Sequence, residues 1–455
     1  MAPPRSVLDS LATLSAEGRI LEMANVLSKT ERWPAEEVAR HQLLRLARLL
    51  EHARRTVPFH ARIPSFPEAL TLEHLRELPL LRREDVRERA DELVSRQVPP
   101  EHRVAYEANS SGSTGRHVTV RVDAATKAMR DAIGLRDNAW HRRDPTAKAA
   151  GIRAIPSGAD APYGRTERAW TFHPESGPLV LLDAHSPVRD QLDWLAREAP
   201  AYAATYASNA AALVDGAERD GVRLPSLREL GTFGEVLPDG LREACRRVLG
   251  VPLVDGYSCV EVGFIALECP DREHYHVQSE HVLAEVLRPD GSPCDVGESG
   301  RVVLTALHAF AMPLIRYDIG DYATVGAPCP CGRGLPVLER ILGRSRNMIR
   351  LPSGDRIWPR FGSHVLGKHF PLKQFRLLQP SVEGLTLELV ADRPLTPGEE
   401  QGLRDFVQGA LRHPFELGLH YVQEIPRSPS GKFEDVICQI DDAAVPRAVT
   451  AHRRG

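Results

Sequence analysis

Residues 110 to 115 read Ser110-Ser111-Gly112-Ser113-Thr114-Gly115. Glycines let a backbone turn its N–H groups inward around an anion, and hydroxyls add donors, so the segment is suited to phosphate. It lacks the Gly-Lys-Ser/Thr ending of a Walker A loop, and alone it reads equally as a flexible turn. A second group is Cys329-Pro330-Cys331, a thiol pair one residue apart, with Cys269, His274 and His276 upstream. Three sulfurs and one imidazole form a tetrahedral zinc set. Four protein ligands leave no open position, which points to a structural role. The third feature is Ser430-Gly431-Lys432, an ammonium just past a turn, where an exposed turn residue is the ordinary reading. Cys259 has no histidine nearby to activate it and reads as packing.

Further motifs follow the serine-rich loop in a fixed order: Gly234-Glu235, Tyr257-Ser258-Cys259-Val260-Glu261, Tyr317-Asp318-Ile319-Gly320-Asp321, Gly343-Arg344 and Pro429-Ser430-Gly431-Lys432. With them the chain resembles the adenylate-forming superfamily, in its phenylacetate:CoA ligase-like branch, over most of its length. The resemblance implies ATP, magnesium and CoA as ligands and a small-molecule carboxylic acid as substrate. It gives the β and γ phosphates to Ser110, Ser111, Gly112, Ser113, Thr114 and Gly115, and it gives the adenine pocket to Gly234 and Glu235, with Tyr257 stacking and Ser258 beside it. Glu261 becomes the magnesium ligand, a hard carboxylate for a hard cation. Asp321 and Arg344 approach the ribose, and Lys432 becomes the lysine of the adenylation step. An ammonium there stabilises the charge that builds when a carboxylate attacks the α-phosphate. Similar cysteines and a histidine bind zinc in some members of the branch, which favours Cys269, His276, Cys329 and Cys331 over a set containing His274. By family position the acid pocket lies near Trp140, Tyr206, Ala207 and Ser208. Two departures stand out: no acid follows Gly343-Arg344 closely at the hinge, and Asp318 replaces a base beside the nucleotide.

These groups need elements to hold them. Apolar residues recur at helical spacing over 36–57, and Val118, Val120 and Val122 alternate as a strand does. Between 149 and 254, helices expected at 187–198 and 241–249 alternate with strand-like runs at 179–182 and 251–254, the pattern of an α/β core. Strand texture dominates 282–325. After Gly343 the order is strand (Leu385, Leu387, Leu389), helix (397–411) and strand (420–425). The fold class expected is therefore α/β multidomain: a large N-terminal domain over 1–342, and a small, mobile α+β C-terminal domain over 343–455 that carries Lys432. Since Lys432 and the other motifs fall in different domains, the site requires domain closure.

Composition narrows the rest. In 455 residues, 42% hydrophobic and 26% charged side chains suit a globular chain of two or three domains. A formal charge of -3 argues against nucleic acid or an acidic membrane surface as partner. No apolar run reaches the roughly 18 residues of a membrane span. Seven thinly spread cysteines and no apolar leader make a reducing cytoplasm the expectation. The activity expected is AMP-forming acid–thiol ligation with CoA as acceptor. An aromatic acid is favoured by the resemblance, although 6% aromatic residues offer no stacking signature of their own. A carrier-protein thiol or an amine stays open as acceptor, and so does an oligomer. A nucleotide-binding protein that has lost catalysis is the rival reading, and the retained Lys432 argues against it. A zinc hydrolase is disfavoured because no His-Glu-X-X-His pattern occurs.

Overall fold

The computed structural model describes residues 15–67, 69–110, 117–155, 164–359, 366, 369–391 and 393–440. The helix expected at 36–57 forms as α2 (Ala35–Thr56), after α1 (Ala16–Thr30). It buries Val38, Leu46, Leu49, Leu50 and Ala53 on one face and stops before Pro58, which has no N–H to continue the ladder. Three short helices follow, α3 (Leu72–Arg76), α4 (Arg83–Glu88) and α5 (Ala90–Leu93). Next comes the hairpin of β1 (Val104–Asn109) and β2 (Thr119–Asp123), with Val118, Val120 and Val122 all buried. Asp123 caps α6 (Ala124–Trp140) by accepting the Thr126 N–H at 2.7 Å.

The α/β part comprises β3 (Ala149–Arg153), β4 (Arg165–Glu167), β5 (Leu179–Asp183), α7 (Val188–Glu198), β6 (Tyr202–Tyr206), α8 (Ala207–Asp220), β7 (Glu229–Phe233), α9 (Leu241–Leu249) and β8 (Leu253–Cys259). The strand-rich part adds β9 (Gly263–Glu268), β10 (Tyr275–Val277), β11 (Val282–Leu287), β12 (Ser299–Ala306), β13 (Tyr317–Val325) and β14 (Val337–Arg344). Together they form one twelve-stranded sheet in the order β11-β12-β13-β14-β10-β9-β8-β7-β6-β3-β5-β4. The run from β5 to β8 is parallel and the run from β8 to β11 is antiparallel. Two cores follow from that division. One packs α7, α8 and α9 on the parallel strands, and the other fills the antiparallel side.

Beyond β14 lie the short pair β15 (Ile349–Arg350) and β16 (Arg356–Ile357), then β17 (Leu372–Gln379), β18 (Gly384–Ala391), α10 (Pro397–Leu411), β19 (Glu416–Tyr421) and β20 (Val436–Cys438). The second sheet, β19-β18-β17-β20, has its own core around Phe375, Leu387, Leu403, Val407 and Phe415. A capping box of Thr396 and Glu399, with Pro397 in the first turn, fixes where α10 starts. The strand after α10, β19, lies earlier than the expected 420–425. It pairs parallel to β18 from Glu416 to Tyr421, which turns Leu417 inward against that core. Among the described residues, no helix is long and apolar enough to cross a membrane.

Candidate active site

The cavity, of about 460 Å³, opens where strand ends and the second sheet meet. Tyr206 ends β6, Gly234 and Glu235 follow β7, and Tyr257 lies near the end of β8, so three neighbouring parallel strands deliver them to one edge. The pairing of β8 with β9 shifts register between Tyr257 and Ser258 and resumes through Ser258 and Cys259, which ends the strand two residues before Glu261. Asp321 and Arg344 are direct cross-strand partners on β13 and β14. Sheet register thus sets this pair, with Arg344 Nε 3.6 Å from Asp321 Oδ1 and the Tyr257 hydroxyl donating to Oδ2 at 2.9 Å. Burial pushes the Asp321 carboxyl above its usual range, and Arg344 opposes that shift.

Lys432 arrives from the loop between β19 and β20 and lines this cavity. A Cβ added to Gly234 would stand 3.3 Å from Lys432 Nζ and 3.2 Å from Cε, so a side chain there would crowd the end of the lysine, and the φ of +75° favours glycine. Burial, with Arg344 second, lowers the ammonium's pKa, and Glu235, Asp321 and Glu261 oppose this. The loop is held from the large sheet's side. Tyr206 donates to the Ser430 carbonyl at 2.8 Å, and Arg427 donates to Ser208 Oγ at 2.8 Å and to Asn209 Oδ1 at 3.3 Å. The hinge, lacking its acid, finds one in the loop instead: Arg346 pairs with Glu434, and Asn347 donates to the Val436 carbonyl at 2.6 Å.

Of the serine-rich loop only Ser110 lies among the described residues; Ser111, Gly112, Ser113, Thr114 and Gly115 lie outside them. Ser110 accepts the Val118 N–H at 3.0 Å and an N–H of Arg83 at 2.8 Å. Arg83 also reaches Glu261 Oε1 at 2.9 Å, where the Tyr317 hydroxyl donates at 3.2 Å. Both donors converge on Oε1, an arrangement that fits a cation ligand through Oε2. Arg83 was missed by sequence reasoning. It sits in a charge-rich helical stretch that reads as a solvated face, 178 positions from its partner. Asp255 was missed as well. It lines the cavity, buried, and holds the hydroxyls of Thr232 at 2.6 Å and Tyr275 at 2.7 Å.

Several sequence expectations need correction. Trp140 stands away from the cavity: its ring lies 5.7 Å from His276, and its indole N–H donates to Glu31 at 2.8 Å. As the last residue of α6 it faces the N-terminal helices. Ala207 is fully buried in the first turn of α8, behind Ser208, which does line the cavity. Glu235 belongs to the cavity lining, where Oε2 accepts the Ser208 N–H at 2.7 Å and Oε1 accepts the Phe433 N–H at 2.6 Å. Asp318 is not beside the cavity. It is 3.3 Å from Arg301 and accepts the Gly320 N–H at 3.0 Å. Burial pushes the Cys259 thiol up to about 12, which suits packing and not nucleophilic work.

The second site is the thiol cluster. Ligand atoms of Cys269, His276, Cys329 and Cys331 all lie within 4.8 Å of one another. The sulfurs of Cys269 and Cys329 are 3.9 Å apart, and Cys331 Sγ is 3.4 Å from His276 Nε2. A tetrahedral centre with bonds of about 2.3 Å sets sulfurs about 3.8 Å apart, so the set fits zinc. His276 Nδ1 lies 3.4 Å from the Leu335 carbonyl, which leaves Nε2 for a metal.

No family model matches the chain. It is 28% identical over 350 residues to the phenylacetate-coenzyme A ligase of Pseudomonas putida, covering 73% of this chain and 76% of that one. To the enzyme of the same name from Aromatoleum evansii it is 25% identical over 406 residues, covering 85% and 89%. Among solved structures, a 2-hydroxyisobutyryl-CoA ligase in its postadenylation state matches with a TM-score of 0.70 at 19% identity, covering 91% of this chain and 92% of that one. In sequence the chain is similar to phenylacetate-coenzyme A ligases, and its fold is that of CoA ligases solved with acyl-adenylates. The TM-score is 0.58 against the same ligase in the thioesterification state, with coverage of 90% and 91%. Coverage is almost equal, so the two scores differ through the arrangement of parts. An o-succinylbenzoate coenzyme A synthetase from Bacillus subtilis, with ATP and a magnesium ion, matches with a TM-score of 0.51 at 18% identity, covering 74% and 70%.

Proposed function

We propose that the protein activates a small carboxylic acid with ATP as an acyl-adenylate and passes the acyl group to CoA. The observation that carries the reading is Lys432 inside a cavity that Gly234, Tyr257, Asp321 and Arg344 also line. In the first step a carboxylate oxygen attacks the α-phosphorus, the bond to the bridging oxygen breaks, and pyrophosphate leaves with its electron pair. Lys432 offsets the repulsion between the two anions. Asp321, steadied by Tyr257 and Arg344, accepts hydrogen bonds from the ribose hydroxyls. The β and γ phosphates are assigned to Ser110 and Arg83, which share a hydrogen bond at 2.8 Å. A magnesium ion on Glu261 would neutralise phosphate charge. In the second step the thiol attacks the acyl carbon and AMP leaves. For that step we assign the unit beginning at Gly343 a second orientation, in which Lys432 leaves the cavity it now lines.

The acid pocket is assigned to the surroundings of Tyr206 and Ser208. Sequence relatives named for phenylacetate put an aromatic acid first, and a fold neighbour named for a hydroxy acid adds an aliphatic one. Acid-dependent exchange of labelled pyrophosphate into ATP tests the first step. We expect Lys432→Ala to lower exchange at least a hundredfold, roughly the effect of removing a transition-state donor, with ATP binding within a few fold. Equal exchange by that variant would remove the role given to Lys432. CoA, a phosphopantetheine carrier protein and an amine, compared as acceptors, test the second step. The thiol cluster is assigned one structural zinc; metal analysis should find one per chain, and its removal should lower the melting temperature before it lowers turnover.

A further inference from the structure

Resting on that reading of the site, we infer that Glu235 is the positioning residue that seats the Lys432 loop for adenylation. The carboxylate bridges two N–H groups that belong to different parts of the molecule. Ser208 lies in the first turn of α8, so its N–H is a helix-start donor in need of an acceptor, and a carboxylate there also suits the helix dipole. That end stays in place whatever the loop does. The Phe433 N–H at 2.6 Å is the other end, and it comes from the residue directly after Lys432. Since the peptide unit is planar, fixing the nitrogen of Phe433 fixes the carbonyl end of Lys432. Gly234 leaves room for the end of the lysine and Glu235 sets its backbone, so two consecutive residues after β7 serve one side chain.

The same contact explains why the preference is conditional. With the loop docked, Glu235 has two N–H donors and the positive charges of Lys432 and Arg427 near it. With the loop withdrawn, the half-buried carboxylate keeps the Ser208 N–H and hydroxyl but exchanges the Phe433 N–H and the nearby Lys432 and Arg427 charges for water, a weaker set of partners for an anion. Other contacts to the loop, such as Tyr206 to the Ser430 carbonyl and His185 to the Ser428 carbonyl, involve neutral acceptors. Glu235 therefore favours the orientation for adenylate formation and not the one for thiol attack.

The test uses Glu235→Ala and Glu235→Gln in the full chain, with three readouts. Pyrophosphate exchange should fall about ten- to a hundredfold in Glu235→Ala, the usual weight of a hydrogen bond to a charged group, with KM for ATP within a few fold. Glu235→Gln keeps one acceptor and should fall less. Conversion of supplied acyl-adenylate and CoA to thioester should be unchanged or faster. Trypsin should cut after Lys432 faster in both variants than in the parent, at equal melting temperature, because the undocked loop frees a half-buried lysine from the cavity. Exchange equal to the parent's, loss of both half-reactions in proportion, or unchanged cleavage after Lys432 would each overturn the role. Cleavage needs no catalysis, so it tests Glu235 even if the parent exchanges pyrophosphate with no acid, a result that would overturn the proposed function instead.

Discussion

Arg83 joins a hydroxyl of the phosphate loop to the carboxylate assigned to magnesium, at 2.8 and 2.9 Å. We expect Arg83→Gln to raise KM for ATP about tenfold or more, the weight of a charge-assisted hydrogen bond, with a smaller effect on kcat; titrating ATP in the exchange assay checks this. A KM unchanged by the substitution would leave Arg83 with a packing role only. Lys432, Tyr257 and Asp321 were legible because each sits in a short motif whose order along the chain carries information. Arg83 and the contacts of Glu235 were not, since their partners lie 178 and 198 positions away and nothing in local spacing marks them. Trp140 shows the converse failure: family position suggested a pocket wall, but the direction of a side chain at a helix end is decided by packing.

At the scale of elements, the turn between α1 and α2 meets the segment that carries the thiol pair. Gly334 donates to the Glu31 carbonyl at 3.0 Å, and a Cβ there would lie 1.8 Å from the Trp33 carbonyl oxygen. Gly334→Ala must push these segments apart. We expect a loss of about 2 kcal/mol or more, in the range of overpacked or strained sites, visible as a lower urea midpoint with unchanged slope. α10 was readable to the residue because its capping box is local. The strand at 251–254 was placed too early. Only from Leu253 does the chain pair with β7, and it then continues to Cys259. Strand limits follow from partners, and a single sequence does not display partners.

For the whole molecule, burial holds His41 and His281 neutral, each lowered to about 4. His41 faces Arg45, Arg48 and Glu280; His281 faces Arg130, Asp123, Glu280 and the ring of His308, and its Nδ1 has no hydrogen-bond partner. Folded pKa values below the free value near 6.5 mean that the stability from these groups is complete above pH 6.5 and is lost as pH falls towards 4. Urea unfolding at pH 7.5, 5.5 and 4.5 should show a fall of a few kcal/mol across that window, about 1.4 kcal/mol for each pKa unit per group. A flat profile would mean that the two imidazoles titrate near 6.5 in the folded chain, or that Glu268 and Asp435, which burial raises to about 7 and about 6 and which act in the opposite sense, offset them. Two structural units were legible from the change of texture near Gly343. A single sheet running through both halves of the larger unit was not, because β14 pairs with β10 across sixty intervening positions, roughly, of sequence.

Trp140, misplaced from sequence, ends up with its ring 4.4 Å from the Arg333 guanidinium and 5.7 Å from the His276 imidazole. An indole's fluorescence responds to charge and to quenching groups at such distances. Trp140 is therefore a native optical probe beside the thiol cluster, and in a chain whose other four tryptophans, Trp358 of the cavity lining among them, are replaced by phenylalanine, metal binding there can be followed as a change in emission.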